Sequence, residues 1–351
     1  MELLNETIRR IQPLDQQWLD RAQARLDQLT KPRRSLGRLE ELAAWYVAVR
    51  QELRPTLKKK VVVIFAGDHG VVAEGVSAYP QEVTFQMVAN FIQGGAGINV
   101  LSRQVGAEVQ IVDIGVNHDF TGMPGLWHRK VAPGTCNLAR EAAMSREEAL
   151  AALRVGIEVA QAAVAGGADV LATGEMGIGN TTPAAALAAA FTGQTAAAVT
   201  GRGTGVDDAT YQRKVQVIDR ALALHRPASK EPLEVLARLG GLEIAGLAGL
   251  ILGAAAARRP VLVDGFIATA GALVAVRLCP AVRDYLQAAH QSAENGHQVM
   301  LADLGLRPLL HLDMRLGEGT GAALGMFLLE AGLRIYREMA TFAEAGVSDK
   351  D

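Results

Sequence analysis

The stretch ADVLATGEMGIGNTTPAAALAAAF, residues 168–191, reads in one pass as strand, glycine-rich loop and helix. Its apolar start suits a strand buried on both faces. Gly174, Gly177 and Gly179 supply a tight turn, and Thr181 or Thr182 can cap a helix with Pro183 in its first turn. Free backbone N–H groups at such a helix start suit a phosphate, and a tight turn with an ordinary cap is the plainer reading of the same residues. Working outward, similar apolar runs stand at VVVIFAG (61–67), EVQIVDIG (108–115), PVLVDG (260–265) and PLLHLDM (308–314), separated by long helical or glycine-rich segments. That alternation predicts βαβ crossovers, an α/β fold on a parallel sheet, and strand-end loops that converge on one edge.

Composition narrows the classes further. Half of the 351 residues are apolar and 21% are charged, enough to bury a large core. Thirty-five Lys and Arg against 37 Asp and Glu give a net charge of −2, so no basic field draws in nucleic acid. Few aromatics beside abundant Gly and Ala favour helices packed closely on a sheet over a sandwich or barrel. Cys136 and Cys279 form neither a disulfide framework nor a four-ligand zinc pattern, which fits a reducing cytoplasm. Glu2, Glu6, Arg9 and Arg10 interrupt any secretory apolar stretch. The longest apolar run, residues 244–257, falls short of the ~18 residues that read as a membrane span, and is expected to be a buried helix.

The first 58 residues are polar and helix-prone, with Leu39, Leu42, Ala43, Tyr46 and Val47 at helical spacing, and 321–346 is helical in pattern. Residues 1–58 and 326–351 are expected to form a small helical domain beside an α/β domain at 59–325, with a frayed tail at 348–351. Lys58, Lys59 and Lys60 read as the solvated start of a strand, 183–199 as a helix broken at Thr192-Gly193, and 227–232 as a turn between helices.

Several residues have the chemistry of a site. In GRGTGVDDATYQRKVQVIDRAL (201–222) a glycine-rich loop again precedes a helix, and Lys214 lies within its first turns, where an ammonium can meet an anion. Asp207 and Asp208 are a cap and a first-turn acid, and Arg202 is either a surface residue or a ligand contact. In RLGEGTGAALG (315–325) Glu318 stands between two glycines, and Glu175 occupies a matching place after another strand; two such acids can divide acid–base and hydrogen-bonding tasks, while a solvated loop glutamate is the plainer reading. After GDHG (67–70), Tyr79 and Gln86 offer an aromatic wall and an amide to a planar ligand. Asp68 and His69, and His290, Glu294 and His297, invite a metal reading, against which a hydrogen-bonded polar turn stands as the better one. Asp264 either meets a ribose or caps the helix that follows it. No GxxxxGK[ST] loop, no GxGxxG in the first βα turn and no GxSxG elbow is present, which disfavours nucleoside triphosphates, NAD and a serine nucleophile.

KPRRSLGRLEELA (31–43), GDHGVVAEGVSAYPQEVT (67–84), GEMGIGNTT (174–182), GRGTG (201–205), VDGFIATAGAL (263–273) and RLGEGTGAALG (315–325) occur in this order, and together resemble the nicotinate-nucleotide–dimethylbenzimidazole phosphoribosyltransferase family over nearly the whole chain. The resemblance implies a Rossmann-like, doubly wound, mainly parallel sheet, a small helical domain from both chain ends, and a homodimer with sites near the subunit interface. It implies transfer of the phosphoribosyl group of nicotinate mononucleotide to 5,6-dimethylbenzimidazole for the lower ligand of cobalamin, with no cofactor and no metal. Glu318 would then be the general base. Gly177, Gly179, Asn180, Gly203 and Lys214 would cradle phosphate and ribose, organised by Glu175 and Asp264, and Tyr79, Gln86, Met176 and Leu316 would form the base pocket. A metal-dependent phosphohydrolase or phosphomutase, and a noncatalytic nucleotide-binding sensor, are the competing expectations.

Overall fold

The computed structural model describes residues 1–203, 205–225 and 231–348. Most of the turn expected at 227–232, and residues 349–351 of the expected tail, lie outside them. Among the described residues eight strands follow in chain order: β1 Lys60–Gly67, β2 Ala107–Gly115, β3 Leu126–His128, β4 Val170–Met176, β5 Val261–Val263, β6 Leu286–Ala288, β7 His290–Gln291 and β8 Leu310–His311. Six form one all-parallel sheet in the order β3-β2-β1-β4-β5-β6. Strand order reverses between β1 and β4, the switch point of a doubly wound sheet, and ligands bind beyond the carboxyl ends of the strands there. Every residue of β1 is buried, as an apolar run covered on both faces requires.

Three expectations need correction. Of the run 308–314 only Leu310 and His311 are strand, and they pair with β7 in a separate two-stranded sheet. Leu312 is 52% exposed, so the run does not bury two faces, and β6 takes its place at the edge of the main sheet. Lys60 is not solvated: it is buried and ion-paired with Glu330, whereas Lys58 is exposed. The helical pattern expected over 321–346 is interrupted after the helix Thr320–Glu338, and Thr341 caps a second, short helix, Phe342–Ala345.

The run 244–257 does form a buried helix, Leu242–Ala256. Its glycines let it press against the helix Arg146–Ala165: a Cβ on Gly156 would lie 2.0 Å from the Gly246 carbonyl oxygen, and one on Gly249 2.0 Å from that of Leu153. Gly193, at φ +71°, ends the helix Thr181–Thr192 where a break was expected. Helices Gln16–Leu26, Arg38–Arg50 and Thr320–Glu338 pack together, and the two chain ends meet where Leu29 bridges to Thr341. The first helix, Glu2–Arg10, packs instead on Arg146–Ala165 and Leu242–Ala256, and the boundary expected after residue 325 falls inside the helix Thr320–Glu338.

Candidate active site

A cavity of about 480 Å³ opens at the carboxyl edge of the sheet, lined by Glu175–Gly177 at the end of β4, Gly265–Ile267 after β5, and His290 and Ser292 after β6. Further walls come from the loops that carry Gly203 and Glu318, from Tyr79, Val83 and Met87, and from the start of the helix after β4. Polar groups of opposite character therefore converge on one concave space, as in small-molecule sites generally.

Glu318 is 4% exposed and sits in the left-handed region at φ +62°, between Gly317 at +85° and Gly319 at +93°. Such a conformation costs a non-glycine residue about 1–3 kcal/mol. It places the carboxylate against the start of the helix Gly97–Val105, where its Oε2 accepts the Ile98 N–H at 3.1 Å. Burial pushes its proton affinity up; the Ile98 N–H opposes this and the nearby Asp264 charge adds to it, leaving the carboxyl above its ordinary value. Glu175 is more strongly shifted, to about 8, by burial, against the Asn180 amide and with the charges of Asp264, Glu243 and Glu318. The Asn180 Nδ2 donates to Glu175 Oε2. Asn180 thus stands at the N-cap of the helix Thr181–Thr192 with its side chain turned to Glu175, and the threonine cap expected there is not formed. Two carboxyls with unequal surroundings share one cavity, the arrangement that separates an acid from a base.

Asp264 is buried and serves a helix, though not the one that follows it. Its Oδ2 accepts the Gly319 N–H at 3.1 Å and its Oδ1 the Ala322 N–H at 3.0 Å, so it caps the helix Thr320–Glu338 and fixes the loop that bears Glu318. His290 Nε2 lies 3.6 Å from the same carboxylate. Lys214, in the second turn of the helix Asp208–His225, is 1% exposed. Its ammonium donates to Thr181 Oγ1 at 2.9 Å and the Gly201 carbonyl at 3.3 Å, and a Cβ on Gly203 would lie 3.1 Å from it. Burial pulls its pKa down to about 8, against the pull of Glu294.

Of the residues singled out from sequence, Glu318, Glu175, Gly177, Asn180, Gly203, Tyr79, Met176 and Leu316 line the cavity. Lys214 and Asp264 stand one layer behind it. Gly179, at φ +87°, faces Val72 rather than the space. Gln86 does not line it: Val83 and Met87 on the same helix do, one turn apart, and this periodicity leaves Gln86 exposed. Asp207 accepts the Thr210 N–H, as a cap should, and Arg202 is paired with Asp208 on the surface.

His290, Ser292, Glu294 and Arg315 belong to the lining without having been assigned to it. Glu294 Oε1 accepts the Gly203 N–H at 2.8 Å and Arg315 donates to the Gly203 carbonyl at 3.4 Å. The groups that suggested a metal have other partners: His69 pairs with Glu243, and His297 is held by Thr269 and the Ser292 N–H. Among the described residues no group of three or more His, Cys, Asp or Glu has metal-holding geometry.

A doubly wound sheet with a polar cavity and two buried carboxyls beyond its switch point is the frame of a small-molecule enzyme, and the profile of the phosphoribosyltransferase family matches residues 11–347. The chain belongs to that family, in the group of nicotinate-nucleotide–dimethylbenzimidazole phosphoribosyltransferases. The protein of that name from Geobacter sulfurreducens is 62% identical over 351 residues, covering 100% of both chains. The one from Chloroflexus aggregans is 56% identical over 350 residues, 100% of this chain and 99% of its own. The crystal structure of CobT from Thermus thermophilus superposes with a TM-score of 0.92 at 53% identity, covering 95% of this chain and 100% of that one.

Proposed function

We propose that Glu318 is the general base of a transfer in which the phosphoribosyl group of nicotinate mononucleotide passes to 5,6-dimethylbenzimidazole, giving α-ribazole 5′-phosphate and nicotinate for the lower ligand of cobalamin. The observation that carries this reading is the Glu318 carboxylate, buried at the cavity wall on the Ile98 N–H with its proton affinity raised. The bond from the ribose anomeric carbon to the pyridinium nitrogen breaks and its electron pair returns to the ring, which leaves as neutral pyridine. One benzimidazole nitrogen attacks the opposite face, so β becomes α, and Glu318 takes the proton from the other nitrogen. Glu175, held in its acid form, organises the ribose by hydrogen bonding. Gly177, Asn180 and Gly203 cradle ribose and phosphate, with the Lys214 ammonium as countercharge behind Thr181. Tyr79, Met176 and Leu316, joined by Val83 and Met87, form an apolar slot suited to a flat base.

Tyr79 and Leu316, which line the cavity, are each more than half exposed, which supports a homodimer whose second copy covers the cavity mouth. Two free cysteines support a reducing, cytoplasmic setting. The test is to incubate EDTA-treated protein with nicotinate mononucleotide and dimethylbenzimidazole and to follow nicotinate and the ribosylated product by chromatography and mass spectrometry. Stoichiometric formation of both is expected. Binding without nicotinate release, or phosphate release dependent on added metal, would overturn the reading.

A further inference from the structure

His69 and Glu243 form an ion pair with no solvent exposure, Nε2 to Oε1 at 2.9 Å, directly under the cradle. The transfer chemistry does not use it. Glu243 is the one charged residue of the helix Leu242–Ala256, which is otherwise Leu, Ile, Ala and Gly and is buried through Ala255. His69 Nδ1 and Glu243 Oε2 have no hydrogen-bond partner among the described residues, so the pair is incompletely satisfied. Replacing such a pair with apolar side chains of similar volume is commonly neutral or stabilising. Stability alone therefore does not explain its place.

Position does. The imidazole is sandwiched between two glycines: a Cβ on Gly241 would lie 2.4 Å from His69 Cε1, and one on Gly177 would lie 3.2 Å from Nε2 and 3.3 Å from Cδ2. The ring thereby joins the end of β1, the start of the helix Leu242–Ala256 and the turn of the cradle. On this side Gly177 abuts the Gly67 carbonyl and the Nε2–Cδ2 edge of His69, the same edge that carries the bond to Glu243. We propose that the His69–Glu243 pair is a positioning element for the nucleotide phosphate, holding the Gly177 turn in place and presenting the imidazole edge to its underside. Burial disfavours a charged ring, and the Glu243 carboxylate, with Asp68 nearby, more than offsets this, so the proton affinity of His69 stands above its ordinary value.

This inference rests on the assignment of the Gly177 turn to the phosphate. The double variant His69→Gln with Glu243→Gln keeps two hydrogen-bonding amides in the same space and removes both charges; Glu243→Gln alone is the second variant, should the double one be insoluble. KM for each substrate, kcat and Tm are measured for both and for the wild type. The expected result is KM for nicotinate mononucleotide raised at least tenfold, with kcat and KM for dimethylbenzimidazole within threefold. A purely structural role would instead lower Tm and scale kcat with the folded fraction, leaving KM for the nucleotide at its wild-type value; that result overturns the proposal. Failure of the phosphate assignment itself reads differently, as an unchanged nucleotide KM in Lys214→Met as well.

Discussion

Glu318→Gln separates proton acceptance from every other service that this residue performs. Glutamine has the same length, its amide oxygen can take the Ile98 N–H that Glu318 Oε2 accepts at 3.1 Å, and its backbone demand at φ +62° is unchanged. The loop, the cap on the helix Thr320–Glu338 and the cradle should therefore persist. What is lost is the general base, which contributes about 10²–10⁴ in rate, equivalent to about 2.7–5.4 kcal/mol of barrier. Burial raises the proton affinity of Glu318 and so makes it a stronger base than a solvated carboxylate. Steady-state kinetics should show kcat reduced about 10³-fold, with KM for nicotinate mononucleotide within threefold. The pH profile adds a signature: Glu318 must be ionised, so wild-type activity falls as pH drops through its raised pKa, and the variant's residual activity lacks that limb. A kcat within tenfold of wild type, or an acid limb that survives in the variant, refutes the assignment.

Lys214→Met removes the countercharge behind Thr181 and should raise KM for the nucleotide about tenfold or more, with kcat little changed in the same assay. For Glu175→Gln the sign follows from linkage: the folded carboxyl titrates near 8 against 4.5 ordinarily, so the wild type loses stability as pH rises through that window. Thermal melts should show the variant gaining on the wild type between pH 5 and 8, and a constant difference would refute the shift. Gly156→Ala drives a methyl to within 2.0 Å of the Gly246 carbonyl oxygen and should cost about 1–3 kcal/mol. Its melting temperature should fall, with kcat/KM of the folded protein unchanged.

The centre of the sheet was legible because β1, β2 and β4 are long apolar runs that each end in a loop, and β5 because its core is bracketed by Pro260 and Gly265. Strands β3 and β6, three residues each, are too short to leave a periodic trace. Missing β6 concealed the loop after it, and with that loop the placement of His290, Ser292 and Glu294 in the cavity. The run 308–314 misled for the opposite reason: it is apolar by composition, but it lies half-buried beside β7 instead of inside the main sheet. Glu175 and Glu318 could be read as a pair because each sits in a glycine-flanked loop. The partners of Asp264 could not be, since the N–H groups that it caps belong to residues 55 and 58 positions later. His69 met Glu243 across 174 residues, a distance that no local pattern spans.

Every strand of the six-stranded sheet lies between Lys60 and Ala288, whereas Gly317, Glu318 and the helix beginning at Thr320 come afterwards. During synthesis the chain therefore completes its scaffold and most of its cradle before the proton acceptor has been made. A message interrupted between codons 289 and 317 specifies a chain with all six strands and no base, and with Asp264 left without the helix that it caps. Such a product would be inert toward its acceptor however well its sheet formed, so competence arrives in a single late step of translation.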